Sequence, residues 1–292
     1  MGIMRKVLLV FFILLLVFSL GTLGFIIYQY MSSSAQYKDI SSKVLNSELL
    51  EAQANSATNY DPLKAYIDWN ALLEINPDTV AWVYIPDSNV NYPIVQASDN
   101  EKYLHAPYAD AIQGLVYHGA PFLDMNNAPD FTDDNNIVYA HNMQDGSMFA
   151  DVTKFQNQEY YDSHAEIYVY TPNMNYLYVP FSVNQVPATY ALTAENFASD
   201  TDMVEFGSDK LSFSKVADAD GLSQIENTSQ FLSLVTCVDS LDLDERVVVF
   251  SALKESFVPT HNPEDSSGAN SDVGKLAAAD AIIEPIAESS VS

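Results

Sequence analysis

A chain of 292 residues that is 48% hydrophobic and 12% aromatic holds enough apolar matter for a sizeable core, which excludes wholesale disorder. Its net charge of −27 rests on 39 acidic and 12 basic side chains, too few cations to neutralise a phosphate backbone, so nucleic acid is excluded as a partner. A single cysteine, Cys237, excludes an internal disulfide.

In chain order, the first element is the run VLLVFFILLLVFSLGTLGFII from Val7 to Ile27, without charge or proline. At about 1.5 Å per residue a helix of this length reaches roughly 30 Å, the thickness of a bilayer core. Arg5 and Lys6 precede it, and the next positive residue is Lys38. That asymmetry predicts a single-pass cell-membrane protein anchored through residues 7–27, N-terminus cytoplasmic, the remainder extracellular. The alternative is a cleaved signal peptide, given the small residues Ser32, Ser33, Ser34 and Ala35. Signal-peptide apolar regions run to about 7–15 residues, so a retained anchor is the expectation.

These features divide the chain into residues 1–31 (cytoplasmic end and anchor), 32–60 (a polar stalk), 61–258 (a globular domain) and 259–292 (an acidic tail). The stalk has helix-compatible apolar spacing at Ile40, Val44, Leu45 and Leu49. The globular part is mostly β. Short strands are predicted at Val80–Ile85, Val90–Val95, Gly114–Tyr117, Asn136–Ala140, Glu166–Tyr170, Leu177–Val183, Phe231–Thr236 and Arg246–Leu253, a number that suits a closed or nearly closed barrel. Helical spacing is best over Pro62–Ile75, Met148–Phe155 and Ala194–Lys215, the last filling the long connection before the Cys237 strand. The tail lacks aromatics and reads as disordered, with one short apolar patch at Ala277–Ile283.

Three strings carry chemistry: NNIVYAHNM (Asn135–Met143), LVTC (Leu234–Cys237) and DERVVVFSAL (Asp244–Leu253). Each sets a reactive side chain, His141, Cys237 or Arg246, at the end or start of an apolar strand, where a rigid scaffold meets a loop. A thiol attacks an amide as thiolate, an imidazole exchanges the proton, and an always-charged guanidinium suits the oxyanion that forms. Taken singly, each has a blander reading. Cys237 reads as a buried inert thiol, His141 as a turn histidine, and Arg246 as a counter-charge to Asp242, Asp244 and Glu245. The remaining histidines, His105, His118, His164 and His261, read as exposed or structural. No His/Cys cluster has metal-ligand spacing, so no metal and no cofactor is expected, and Asp133-Asp134 reads as a solvated loop.

Together the strings resemble the sortase family, which carries a strand-end His, a Leu-x-Thr-Cys signature and an Arg shortly downstream. SDNEKYLH (Ser98–His105), GAPFLD (Gly119–Asp124), HNMQDGSMFADVTKF (His141–Phe155) and NYPIVQ (Asn91–Gln96) resemble segments of its class B branch, over about residues 62–254. The resemblance implies an eight-stranded sortase-type barrel with N-terminal helices and a helix before the cysteine strand, preceded by one transmembrane helix. It implies a cysteine transpeptidase with Cys237 as nucleophile, His141 as acid/base, Arg246 as oxyanion or orienting group and Asp239 as an orienter of the histidine. It also implies a substrate groove touching Asn100, Leu104 and Thr236. The implied partners are sorting-motif-bearing surface proteins or pilins, and the amine of a cell-wall precursor or of a pilin lysine, at a Gram-positive type surface. Alternatives are a cysteine peptidase on the same scaffold, using water as acceptor, or a degenerate module of a surface assembly. The chain departs from the pattern at Ala140, where the family has Gly, and at Val235 and Val238 beside the signature.

Overall fold

The computed structural model describes residues 2–46, 49, 60–109, 119–194, 196–237 and 244–259. The expected strand Gly114–Tyr117, residues 50–59 of the stalk, Val238, Asp239 and nearly all of the acidic tail lie outside the described residues.

The chain begins with one helix of 42 residues, α1 (Ile3–Val44). From Ile3 to Tyr28 it is long and apolar enough to cross a membrane, with a mean hydropathy of 2.8 and none of the stretch buried. The helix then runs on across the boundary drawn at residue 31, into a face that docks. Tyr37, Ile40, Ser41, Val44 and Leu45 are all buried. Their spacing of i, i+3, i+4, i+7 and i+8 is one stripe of an amphipathic helix. The end of α1 is fixed by backbone bonds, Asp68 N–H to the Val44 carbonyl at 2.8 Å and Asn46 N–H to the Tyr66 carbonyl at 3.2 Å.

The helix expected over Pro62–Ile75 is two pieces: a 3-10 turn at Pro62–Lys64 and a helix at Trp69–Ile75. Between them Ile67 pairs with Leu45 as an isolated bridge, which requires extended backbone. The Asp68 carboxylate then caps the second piece, accepting from Ala71 N–H at 3.0 Å.

Eight strands close into a barrel in the order β1-β2-β3-β4-β7-β8-β6-β5. They are β1 (Thr79–Tyr84), β2 (Asn91–Val95), β3 (Phe122–Leu123), β4 (Asn135–Tyr139), β5 (Ile167–Tyr170), β6 (Asn175–Pro187), β7 (Phe231–Cys237) and β8 (Glu245–Phe257). The β2–β3 and β4–β7 pairs are parallel and the rest antiparallel. β3, only two residues long, has no period for sequence reading to detect. Within β6, Pro180 sits at a register shift, where the ladder tolerates a residue without an N–H.

β7 is buried on both faces, and alternation sorts its residues. Leu232 and Leu234 join the main core, with Trp82, Val83, Val247 and Val249. Phe231 and Val235 join an outer cluster, with Ile137, Val248, Phe250, Met203 and Ile225. Met203 and Ile225 come from the helices Asp200–Ser212 and Gly221–Glu226, which fill the connection between β6 and β7. The first of these is the helix expected within Ala194–Lys215, started by Ser199, whose side chain accepts from Asp202 N–H at 3.3 Å. The helix expected over Met148–Phe155 is a 3-10 helix, Ala150–Gln156.

Candidate active site at the end of β4, β7 and β8

Cys237 is the last residue of β7, half-buried, and its direct antiparallel partner on β8 is Arg246. Directly opposed residues in an antiparallel pair point to the same face, with Cβ atoms about 4.5–5.5 Å apart. Eight residues lie between them in sequence, and the register sets their β-carbons side by side on one face. On the other side β4 lies parallel to β7, with Tyr139 abreast of Val235, and Ala140 N–H donates to the Val235 carbonyl at 3.1 Å. Continued by one step of two residues, that register carries His141 abreast of Cys237. The Asn142 side-chain amide ties the turn to the strand end, donating to the Cys237 carbonyl at 3.2 Å. Cys237, Arg246 and His141 are thus brought to the same end of the sheet.

The imidazole is held from behind. His141 Nε2 lies 2.7 Å from the Leu104 carbonyl oxygen, at the end of the short helix Lys102–His105. The His141 carbonyl accepts from Phe149 N–H at 2.9 Å, which closes the loop that follows. Leu104 was expected to line the groove; what the structure gives it is a backbone carbonyl against the histidine. Asn100 stands near, with its amide engaged: Nδ2 donates to Asp124 Oδ2 at 2.9 Å and Oδ1 accepts from Met125 N–H at 2.8 Å. Thr236 faces the opposite side of β7 from Cys237 and is 3% exposed, so any contact with substrate falls to its backbone. Its hydroxyl is buried with no hydrogen-bond partner among the described residues. Asp239 lies outside the described residues.

Sequence reading passed over Tyr139, two residues before His141 on the same face as Cys237 and Arg246. Its ring stacks on Phe122 at 5.3 Å and its hydroxyl donates to Asp124 Oδ2 at 3.2 Å. Burial and the Asp124 carboxylate push the phenol well above its usual range, while the positive charge of Arg246 pulls the other way. The guanidinium is therefore within electrostatic reach of that ring. Asp124 itself is buried and also accepts from Asn126, through N–H at 2.9 Å and Nδ2 at 3.0 Å. Among the described residues no group of three or more His, Cys, Asp or Glu side chains is placed to hold a metal ion. Asp133, read as part of a solvated loop, is instead buried. It binds Asn127 Nδ2 at 2.9 Å and Ala128 N–H at 2.6 Å, closing the turn that leads into β4.

The Sortase domain family matches residues 83–254, more than half of the chain and all three side chains at this site. The chain belongs to the sortase family. A sortase B of Listeria monocytogenes is 33% identical over 135 residues, 46% of this chain and 54% of its own. The aligned part of this sortase therefore spans about half the length of that relative. Among solved structures, sortase B of Bacillus anthracis is 32% identical with a TM-score of 0.54, covering 63% of this chain and 83% of its own. Sortase B of Clostridium perfringens is 27% identical with a TM-score of 0.56, covering 64% of this chain and 99% of its own. These relatives place the sortase on the class B branch. They also agree with the closed eight-stranded barrel expected from the sequence.

Proposed function

We propose that this sortase is a membrane-anchored cysteine transpeptidase and that Cys237, His141 and Arg246 carry its reaction. The observation that carries the reading is the Cys237–Arg246 register pair on β7 and β8, with the His141 turn tied to the Cys237 carbonyl. The Cys237 thiolate attacks the carbonyl carbon of the Thr in a sorting motif, and the Arg246 guanidinium faces the oxyanion. His141 delivers a proton to the departing amine as the tetrahedral intermediate collapses to a thioacyl enzyme. An incoming amine then attacks the thioester and loses its proton to His141, releasing Cys237. Asp239 is the proposed orienter of the imidazole, and Asn100, Leu104 and the Thr236 backbone are the proposed groove contacts. The apolar stretch of α1 serves as a retained anchor, which keeps the barrel on the extracellular side. The substrates are sorting-motif-bearing surface proteins or pilins, and the acceptor is the amine of a cell-wall precursor or of a pilin lysine.

The test is to incubate the full chain, in detergent, with a sorting-motif peptide library, with and without an added amine, and to weigh protein and products. A thioacyl adduct confined to Cys237 and a product carrying the amine are expected, both lost in Cys237→Ala and Arg246→Ala. Water-only products at saturating amine make it a peptidase. Absence of any adduct rejects the proposal.

A further inference from the structure

Gly119 has a φ of +57°, in the left-handed region that favours glycine. Its surroundings are more restrictive than its backbone. A methyl placed at its α-carbon would lie 2.7 Å from the Tyr103 carbonyl oxygen, 2.9 Å from the Leu104 carbonyl oxygen and 3.0 Å from His141 Cδ2. Two of these atoms are backbone, and the Tyr103 carbonyl is committed to Ala120 N–H at 3.0 Å. The third belongs to the imidazole and is bonded to Nε2, the nitrogen 2.7 Å from the Leu104 carbonyl. Glycine here keeps a channel in which ring and carbonyl can meet.

A carbonyl oxygen only accepts, so the proton of a neutral His141 sits on Nε2 and the lone pair on Nδ1. We propose that Gly119 is a positioning residue that, through the Leu104 carbonyl, holds His141 in the Nε2–H tautomer and leaves Nδ1 to exchange the proton with Cys237. This rests on the reading of His141 as the acid/base. In the first half-reaction Nδ1 takes the thiol proton and Nε2 keeps its own, so the ring becomes imidazolium. The Nδ1 proton then goes to the leaving amine, and the ring returns to the Nε2–H form. A methyl at residue 119 forces either the ring to turn or the carbonyl to retreat, and both lengthen the bond that selects the tautomer.

The experiment uses the full chain labelled with 15N at its five histidines, in detergent, with His141 assigned as the signal missing from His141→Gln. At about pH 8.5, above the usual imidazole titration, two-bond 15N–1H couplings report the tautomer. Wild type is expected as the Nε2–H form alone. Gly119→Ala is expected to show mixed tautomers and acylation of Cys237 slower by about tenfold or more at unchanged KM, as for an acid/base held off its line. Gly207→Ala is the control for crowding and lost stability alone, because a methyl there would lie 2.7 Å from Ile225 Cγ2 and 3.1 Å from Phe231 Cζ, and Phe231 opens β7 at the end opposite Cys237. It should acylate within about twofold of wild type, as expected for a substitution that leaves the acid/base in line.

An Nδ1–H tautomer in wild type overturns the proposal, and that reading does not depend on Gly119→Ala folding. Wild-type tautomer and rate in Gly119→Ala, or an equal loss in Gly207→Ala, overturn it as well. In each case an inactive His141→Gln leaves the transpeptidase reading standing. A fully active His141→Gln removes both.

Discussion

At the scale of single residues, Arg246 and Tyr139 test different parts of the site. Arg246 is asked to hold an oxyanion with a forked, permanently charged group, whereas lysine offers a compact ammonium on a flexible stem. Arg246→Lys is expected to lower kcat/KM for a sorting peptide by about 10²-fold, in the range found when an oxyanion donor is removed. Alkylation of Cys237 by iodoacetamide, which forms no oxyanion, should change by less than about threefold on the same grounds. Equal losses in both assays would assign Arg246 to the thiol instead. Tyr139→Phe keeps the ring on Phe122 and removes only the phenol that donates to Asp124. A buried carboxylate then loses one donor, and unfolding by urea should show a loss of about 1–3 kcal/mol. The three residues proposed to react were singled out in sequence because each ends, follows or opens an apolar strand. Gly119 and Leu104 were legible only as parts of strings. Their effect on His141 runs through backbone carbonyls and an absent side chain, which no residue type announces.

At the scale of elements, α1 is part of the barrel's packing as well as the carrier of the apolar N-terminal stretch. Tyr37 packs edge-on against Tyr92 of β2, with ring centroids 5.1 Å apart, and the Tyr92 hydroxyl accepts the buried Met148 N–H at 3.1 Å. Met148 is held at a φ of +56°, bridges to Asn142 and precedes Phe149, which closes on the His141 carbonyl. A chain of contacts thus runs from α1 to the turn that carries the imidazole. Tyr92→Phe strands the Met148 N–H, which costs about 1–3 kcal/mol. Thermal unfolding should drop by about 2–4 °C for each kcal/mol in a domain of this size. The cost falls in the His141 turn, so the acylation rate should drop while peptide KM holds; an unchanged rate would uncouple the turn from the helix. The apolar positions Ile40, Val44, Leu45 and Leu49, read from spacing, are all buried. Their partner surface was illegible, because an amphipathic stripe says that it docks and not where. The same limit hid β3, which is placed by its neighbours β2 and β4 and not by any pattern of its own.

At the scale of the whole molecule, acid and salt act on opposite parts of one charge distribution. Hydrogen bonds from Lys102 and Tyr103 hold the Asp78 carboxyl below its usual range, against a smaller opposing effect of burial. Burial opposes the same shift at Asp133, but donors from Asn127, Ala128 and Asn196 outweigh it. Groups depressed in the folded state stabilise it fully above their unfolded value near about pH 4, and lose that contribution as pH falls through the lower folded value. Acid unfolding should therefore begin below about pH 4, with Asp133→Asn flattening part of the slope. Salt poses a sharper question. Five lysine–carboxylate ion pairs are present among the described residues, every one with at least one partner substantially exposed. Such pairs contribute about 0–1 kcal/mol each and weaken with salt, so on their own they predict a lower Tm at high ionic strength. Against them stands a net charge of −27, whose mutual repulsion reaches across the surface wherever the Debye length exceeds the spacing of the carboxylates. With 39 acids to 12 bases, most carboxylates have no cation to pair with, and repulsion should win. Scanning calorimetry at neutral pH should show Tm rising between about 0.02 and 0.5 M NaCl, as the screening length shrinks from about 20 Å to about 4 Å. A fall in Tm over that range would mean that the five pairs outweigh the field of the whole surface.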